Sequence, residues 1–91
     1  MAYEWDQKKA SSNQIKHGVT FEEAKSVFEE DFNTLTLSDA EHSFDEERYI
    51  EIGMSNKGRL LSIVYTERDM NIRIIGARPA TPQEVRLYAK S

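Results

Sequence analysis

A chain of 91 residues without cysteine makes one domain over residues 1–91 with a single modest core, held without disulfides and without cysteine-based zinc sites. A charged fraction of 31% and the lack of any apolar run near the roughly 18–20 residues of a spanning helix exclude a membrane-embedded chain. The formal charge of −4 argues against nucleic acid as a partner, yet residues 59–91 carry six basic against three acidic groups, a +3 segment on an acidic body.

Met1–Asp6 has neither the basic start nor the apolar stretch of a signal peptide, so a cytoplasmic protein is expected. Tyr3 to Trp5 reads as a short edge strand. Asp6 is a plausible N-cap for a helix running to His17, which Gly18 ends in a left-handed conformation. A second helix follows, with Thr20 and Glu23 spaced as a capping box and Phe21, Ala24, Val27 and Phe28 on one stripe. It ends near Glu30 and Asp31. From Asn33 the period changes to two: Leu35 and Leu37 alternate with Thr34, Thr36 and Ser38. Asp39 to Asp45 reads as a polar turn containing an ordinary His42. Ile50, Ile52 and Met54 mark one face of the next strand, and Ser55–Gly58 is a hairpin loop. Leu60 to Thr66 is apolar on both faces, as in a central strand. Glu67 to Asn71 turns the chain, Ile72 to Arg78 forms the last strand, and Pro79 closes it. Thr81, Pro82 and Glu84 then start a helix whose Val85, Tyr88 and Ala89 face the body. The expected architecture is α+β: an antiparallel meander of about four strands, two N-terminal helices and one C-terminal helix.

Two arginines threaded through the most apolar strand candidate call for an anion or a partner's carboxylates. A metal-independent cut of RNA, for one, needs a base for the ribose 2′-hydroxyl, cations for the phosphate, and an acid for the leaving oxygen. Arg73 and Arg78 are the leading cations, because the guanidinium fork stays charged and binds two phosphate oxygens. Five residues apart in a regular strand, they point to opposite faces unless the strand bends, and Gly76 is where a bulge could sit. The competing reading of Arg73 is a surface ion pair with Glu51 or Glu47. His17 at a helix C-terminus, where the dipole favours a cation, suits a general acid or a phosphate ligand; a plain capping histidine is the alternative. Arg68 in the Glu67–Asn71 turn reaches RNA or is merely solvated. Glu84 already has a capping role, Tyr88 a packing one, and Lys16 reads equally as an ordinary surface lysine. Two histidines with scattered carboxylates make no metal signature, and no cofactor is expected.

One ordered set of residues resembles a known family. It runs from Trp5-Asp6 through Lys9, Asn13, Lys16-His17-Gly18-Val19, Phe21-Glu22-Glu23-Ala24 and Val27-Phe28. It continues with Glu47-Arg48, Gly53, Thr66, Arg68, Arg73-Ile74-Ile75, Ala77-Arg78, Ala80, Glu84 and Tyr88. Each string is weak alone, but together at these spacings the chain resembles the BrnT family of bacterial toxins. The resemblance implies a RelE-like α+β fold and a ribonuclease toxin of a type II toxin–antitoxin pair that arrests translation. It also implies a BrnA-like ribbon-helix-helix antitoxin as partner, with DNA met only through that antitoxin. The implied catalytic set is His17, Arg68, Arg73, Arg78, Glu84 and Tyr88, with Lys16, Arg68 and Arg86 on RNA. Gly76 stands where the family commonly has serine, and Pro79 where it commonly has a basic residue. The alternative function is a non-catalytic module that docks the antitoxin as a co-repressor.

Overall fold

Asp6 begins the first helix by accepting the N–H groups of Lys8 at 2.8 Å and Lys9 at 3.2 Å on one carboxylate oxygen. Helix α1 (Gln7–His17) closes at Gly18, whose φ of 69° is the left-handed conformation glycine adopts without strain. In this computed structural model, residues 2–42 and 46–91 are described, His42 through its backbone alone. Helix α2 (Phe21–Glu30) follows directly, and Thr20 Oγ1 accepts the N–H of Glu23. Only half of the expected capping box forms there. The Glu23 carboxylate turns inward to Arg59 Nε at 2.8 Å and Nη2 at 2.6 Å, and accepts Ser55 Oγ at 2.7 Å. Arg59 Nη2 also donates to the Gly18 carbonyl at 2.8 Å, so one ion pair on a buried carboxylate ties the α1–α2 junction to a hairpin far along the chain.

The strands are β1 (Tyr3–Glu4), β2 (Leu35–Ser38), β3 (Tyr49–Met54), β4 (Leu60–Arg68) and β5 (Asn71–Pro79). They form one mixed sheet in the order β1-β5-β4-β3-β2. The expectation of about four antiparallel strands is corrected here. β1 runs parallel to β5, with Tyr3 beside Ile72 and Glu4 beside Arg73; two residues are too few to show alternation, and their partner lies at the other end of the chain. The polar turn expected from Asp39 is followed as a single 3-10 turn, Ala40–His42; its continuation over 43–45 and the His42 side chain lie outside the described residues. The β4–β5 hairpin is tighter than expected, turning through Asp69 (φ 51°) and Met70 (φ 68°) alone. Arg68 is thus the last residue of β4, opposite Asn71, and not a loop residue.

Register sorts the two faces of the sheet. Leu61, Ile63, Tyr65, Ile74 and Ala77 meet Val19, Phe21, Ala24 and Val27 in the core beneath α1 and α2. Tyr3, Phe28, Tyr65 and Tyr49 make a row of ring contacts across this face, with centroids 5.0–5.8 Å apart. Gly53 is required by that packing, since a Cβ there would sit 2.6 Å from both Val27 Cγ1 and Thr34 Cγ2. On the opposite face, helix α3 (Pro82–Lys90) lies against β3, near the fully buried Ile52. Its capping box is complete, but it buries no residue. Val85 stays 44% exposed and Ala89 is exposed, so the expected docking through them is corrected. α3 is attached through Glu84, which accepts Ser62 Oγ, and Tyr88, whose hydroxyl donates to Asp31 Oδ2 at 2.7 Å.

Candidate active face

A single extra residue in β5 decides where the arginines point. Val64 pairs with Gly76 and Tyr65 with Ile74, which leaves Ile75 without a counterpart in β4. This bulge shifts the alternation by one, so Arg73 and Arg78, five apart in sequence, lie on the same face. Arg73 is opposite Thr66 and Arg78 opposite Ser62. Those partners are four residues apart on β4, about 13 Å along the strand. Arg68 is in phase with Ser62 and Thr66, and so shares that face, the one opposite α1 and α2.

Each of the three meets a carboxylate. Arg78 Nη1 and Nη2 donate to the two oxygens of Glu84 at 2.8 and 3.1 Å, and Nη1 also reaches the Pro79 carbonyl at 3.3 Å. Arg73 Nη1 lies 3.5 Å from Glu4 on β1, not beside Glu51 or Glu47 as the surface-pair reading expects. Arg68 Nη2 contacts Glu46 at 3.2 Å. Glu51 is inaccessible to Arg73 because it points into the opposite face, where Thr34, Thr36 and Tyr65 donate their hydroxyls to it. Burial would raise the Glu84 carboxyl, but Arg78, the Thr81 N–H and Ser62 outweigh it and hold the group below the usual carboxylate range. Glu84 is therefore an anion set against a guanidinium that is 40% exposed along its side chain.

Beside Arg78 lies an open cavity of about 470 Å³, lined by Asp39, Glu41, Arg48, Ile50, Val64, Ile75, Gly76 and Arg78. Arg48 is the functional candidate that sequence reasoning passed over. Its phase with Ile50 and Ile52 was the available signal, since alternation puts residue 48 on the same face. Gly76 is not needed for space: a Cβ there would meet nothing nearer than Asn13 Oδ1 at 3.8 Å, so a serine fits. Among the described residues, no group of three or more His, Cys, Asp or Glu side chains is placed to hold a metal ion.

The remaining predicted residues lie apart from this face. His17, half-buried, and Lys16, exposed, end α1 and line a separate groove beside β5. Tyr88 sits one helical turn beyond Glu84 but is committed to Asp31, and that contact raises its phenol above the ordinary range. Asp31 also accepts the N–H groups of Met54 and Asn33; with Tyr88 these bonds outweigh burial and keep its carboxyl low. Arg86 is exposed on α3. The structure thus gathers Arg68, Arg73, Arg78 and Glu84 on one face, and leaves His17 with Lys16, Tyr88 and Arg86 at three other places.

No curated protein sequence matches the chain. Among solved structures, the crystal structure of the Brucella abortus ribonuclease toxin BrnT matches with a TM-score of 0.69 at 22% identity, over 89% of this chain and 99% of that one. At that identity the likeness speaks to the fold. A family model described as "Ribonuclease toxin, BrnT, of type II toxin-antitoxin system" matches residues 5–84, nearly the whole span from Trp5 to the arginine face and its Glu84. The chain belongs to the BrnT family of type II toxin–antitoxin ribonuclease toxins.

Proposed function

We propose that this toxin is an endoribonuclease whose chemistry is carried by the bulged face of β5, and that it cleaves cellular RNA without a metal cofactor. The observation that supports this reading is the bulge at Ile75, which turns Arg73 and Arg78 onto one face beside a charged Glu84. A scissile phosphate that takes over the two Arg78 hydrogen bonds releases the Glu84 carboxylate. Glu84 then accepts the proton of the ribose 2′-hydroxyl as that oxygen attacks phosphorus. The bond from phosphorus to the 5′ oxygen breaks, and the leaving oxygen takes its proton from solvent, to which Glu84 returns the one it accepted, since His17 lies in the separate groove beside α1. Arg73 and Arg78 hold the negative charge that gathers on the non-bridging oxygens. Tyr88 and Arg86 act outside the bond-breaking step, Tyr88 by fixing α3 and Arg86 as a peripheral cation. The toxin acts in the cytoplasm, and a BrnA-like ribbon-helix-helix antitoxin neutralises it by covering the arginine face.

Glu84→Gln is the informative variant, because glutamine keeps the capping box and the shape but cannot take a proton. Induced alone in a bacterium, wild type arrests growth with loss of RNA. Glu84→Gln and Arg78→Ala relieve the arrest, and purified Glu84→Gln cuts RNA about 10²–10³-fold more slowly at unchanged fold. Equal arrest by wild type and an Arg73→Ala, Arg78→Ala double variant would falsify the reading. The internal pairing of Arg78 by Glu84 favours one second reading, a module that no longer cuts and instead offers this face to antitoxin carboxylates. Intact RNA with wild-type protein that nevertheless tightens operator binding by the antitoxin supports that alternative.

A further inference from the structure

The cations that carry an ion pair among the described residues are arginines; the lysines of α1 carry none. Lys8, Lys9 and Lys16 are exposed and form no ion pair with any described residue. Their spacing is regular. Residues 8, 12 and 16 and residues 9, 13 and 17 are two adjacent rows along one side of the helix. Together the rows run from Lys8 to His17, about 13 Å of helix. Lys8, Lys9, Ser12, Lys16 and His17, with Ile75, line an open groove of about 330 Å³. Its floor is fixed by Asn13, which is already committed: its amide donates to the Ala77 carbonyl at 2.7 Å and accepts the Ala77 N–H at 3.1 Å.

Ile75 is what makes this groove more than a basic helix side. It lines both the α1 groove and the arginine cavity, because the bulge places it at the edge between them. We propose that the lysine rows of α1 are a backbone-binding track for single-stranded RNA, which crosses the bulged edge of β5 at Ile75 to reach the arginine face. The inference rests on the ribonuclease reading for its direction of travel, but binding at the track does not depend on cleavage. Lysine suits such a track, because compact charges on flexible stems follow successive phosphates without demanding one geometry, and Ile75 gives a base an apolar surface. A strand is favoured over an acidic protein segment because the groove shares Ile75 with a cavity bearing Arg48 and Arg78.

The test uses a fluorescein-labelled 2′-O-methyl uridine octamer, which lacks the 2′-hydroxyl that cleavage needs, and reads anisotropy across a salt series. A Lys8→Gln, Lys9→Gln, Lys16→Gln variant is expected to bind at least tenfold more weakly. The slope of log affinity against log salt falls by about 2, since each single-strand phosphate contact contributes about 0.7. Lys57→Gln, on the β3–β4 loop, leaves both readings unchanged, and the triple variant melts as wild type does because its three positions are exposed. Unchanged affinity and slope in the triple variant overturn the track. So does a polyglutamate peptide that binds through the three lysines when the octamer does not, which makes the groove a protein-docking surface. Octamer binding through the lysines by a protein that cuts no RNA keeps the track and removes the ribonuclease reading. RNA cleavage with octamer binding indifferent to the lysines does the reverse.

Discussion

The carboxylate of Glu84 accepts four hydrogen bonds, from both Nη atoms of Arg78, the Thr81 N–H and Ser62 Oγ. Local spacing foretold the Thr81 bond, because a capping box is written in four consecutive residues. The same spacing at Thr20 misleads, since Glu23 finds a stronger partner in Arg59, 36 residues away. The Glu23 side chain is 1% exposed. Arg59→Ala is therefore expected to cost about 2–4 kcal/mol by leaving a buried anion without its guanidinium, read as the shift of a urea midpoint. Acid should act on the same groups. Arg59 chiefly lowers Glu23, while Asp31 and Glu84 are lowered by hydrogen bonds that outweigh their burial. A carboxyl lower in the folded than the unfolded chain binds fewer protons when folded, so its stabilisation is present above the unfolded value and is lost as pH falls through the folded one. The urea midpoint should hold steady above about pH 5.5 and fall below about pH 4.5, near the ordinary carboxylate range. Arg59→Ala should lose less on acidification than wild type does, because its Glu23 is relieved by protonation.

At the level of elements, alternation and caps made α1, α2, α3 and the four longer strands legible. What hid was decided between elements. The bulge depends on how β5 meets β4, and only the suspicion attached to Gly76 pointed near it. β1 was visible as an apolar patch, but its parallel partner 69 residues onward was not. Asn13 shows the same limit: as a polar residue in a weakly amphipathic helix it looks unremarkable, yet its amide replaces a missing strand at the β5 edge by bonding both polar groups of Ala77. Asn13→Ala leaves those groups, on a residue 3% exposed, without partners. About 1–3 kcal/mol of destabilisation should follow, with faster amide exchange at Ala77 as its local signature. Gly53→Ala should also destabilise, by about 1–3 kcal/mol, because Val27 is fully buried and has nowhere to move. A thermal melt of the two variants checks both expectations.

For the molecule as a whole, the formal charge of −4 conceals a separation of roles. The arginines of the +3 segment are largely engaged with Glu4, Glu46 and Glu84, while unengaged lysines come from the acidic N-terminal third. Charge counted along the sequence therefore points to the arginine face alone. Of the proposed α1 track only Lys16 is singled out in the sequence, through the family resemblance, because it is the fold that lays α1 against β5. Raising salt should slow cleavage of RNA by wild type mainly through KM, with kcat nearly constant, since screening weakens capture more than a phosphate already seated between arginines.

The parallel pairing of β1 with β5 has a consequence in time. The Ala2 carbonyl accepts the Ile72 N–H, and the adjoining residue, Arg73, finds its partner in Glu4. Residues near the first and last parts of the chain must thus meet before the arginine face has its shape, and Glu84 follows later still. Long-range closures of this kind are the slow steps of folding, and a chain synthesised only as far as β4 does not contain them. Until β5 and Glu84 have left the ribosome the proposed site has no shape, which on the reading proposed above leaves an interval in which an inhibitor already present can be waiting.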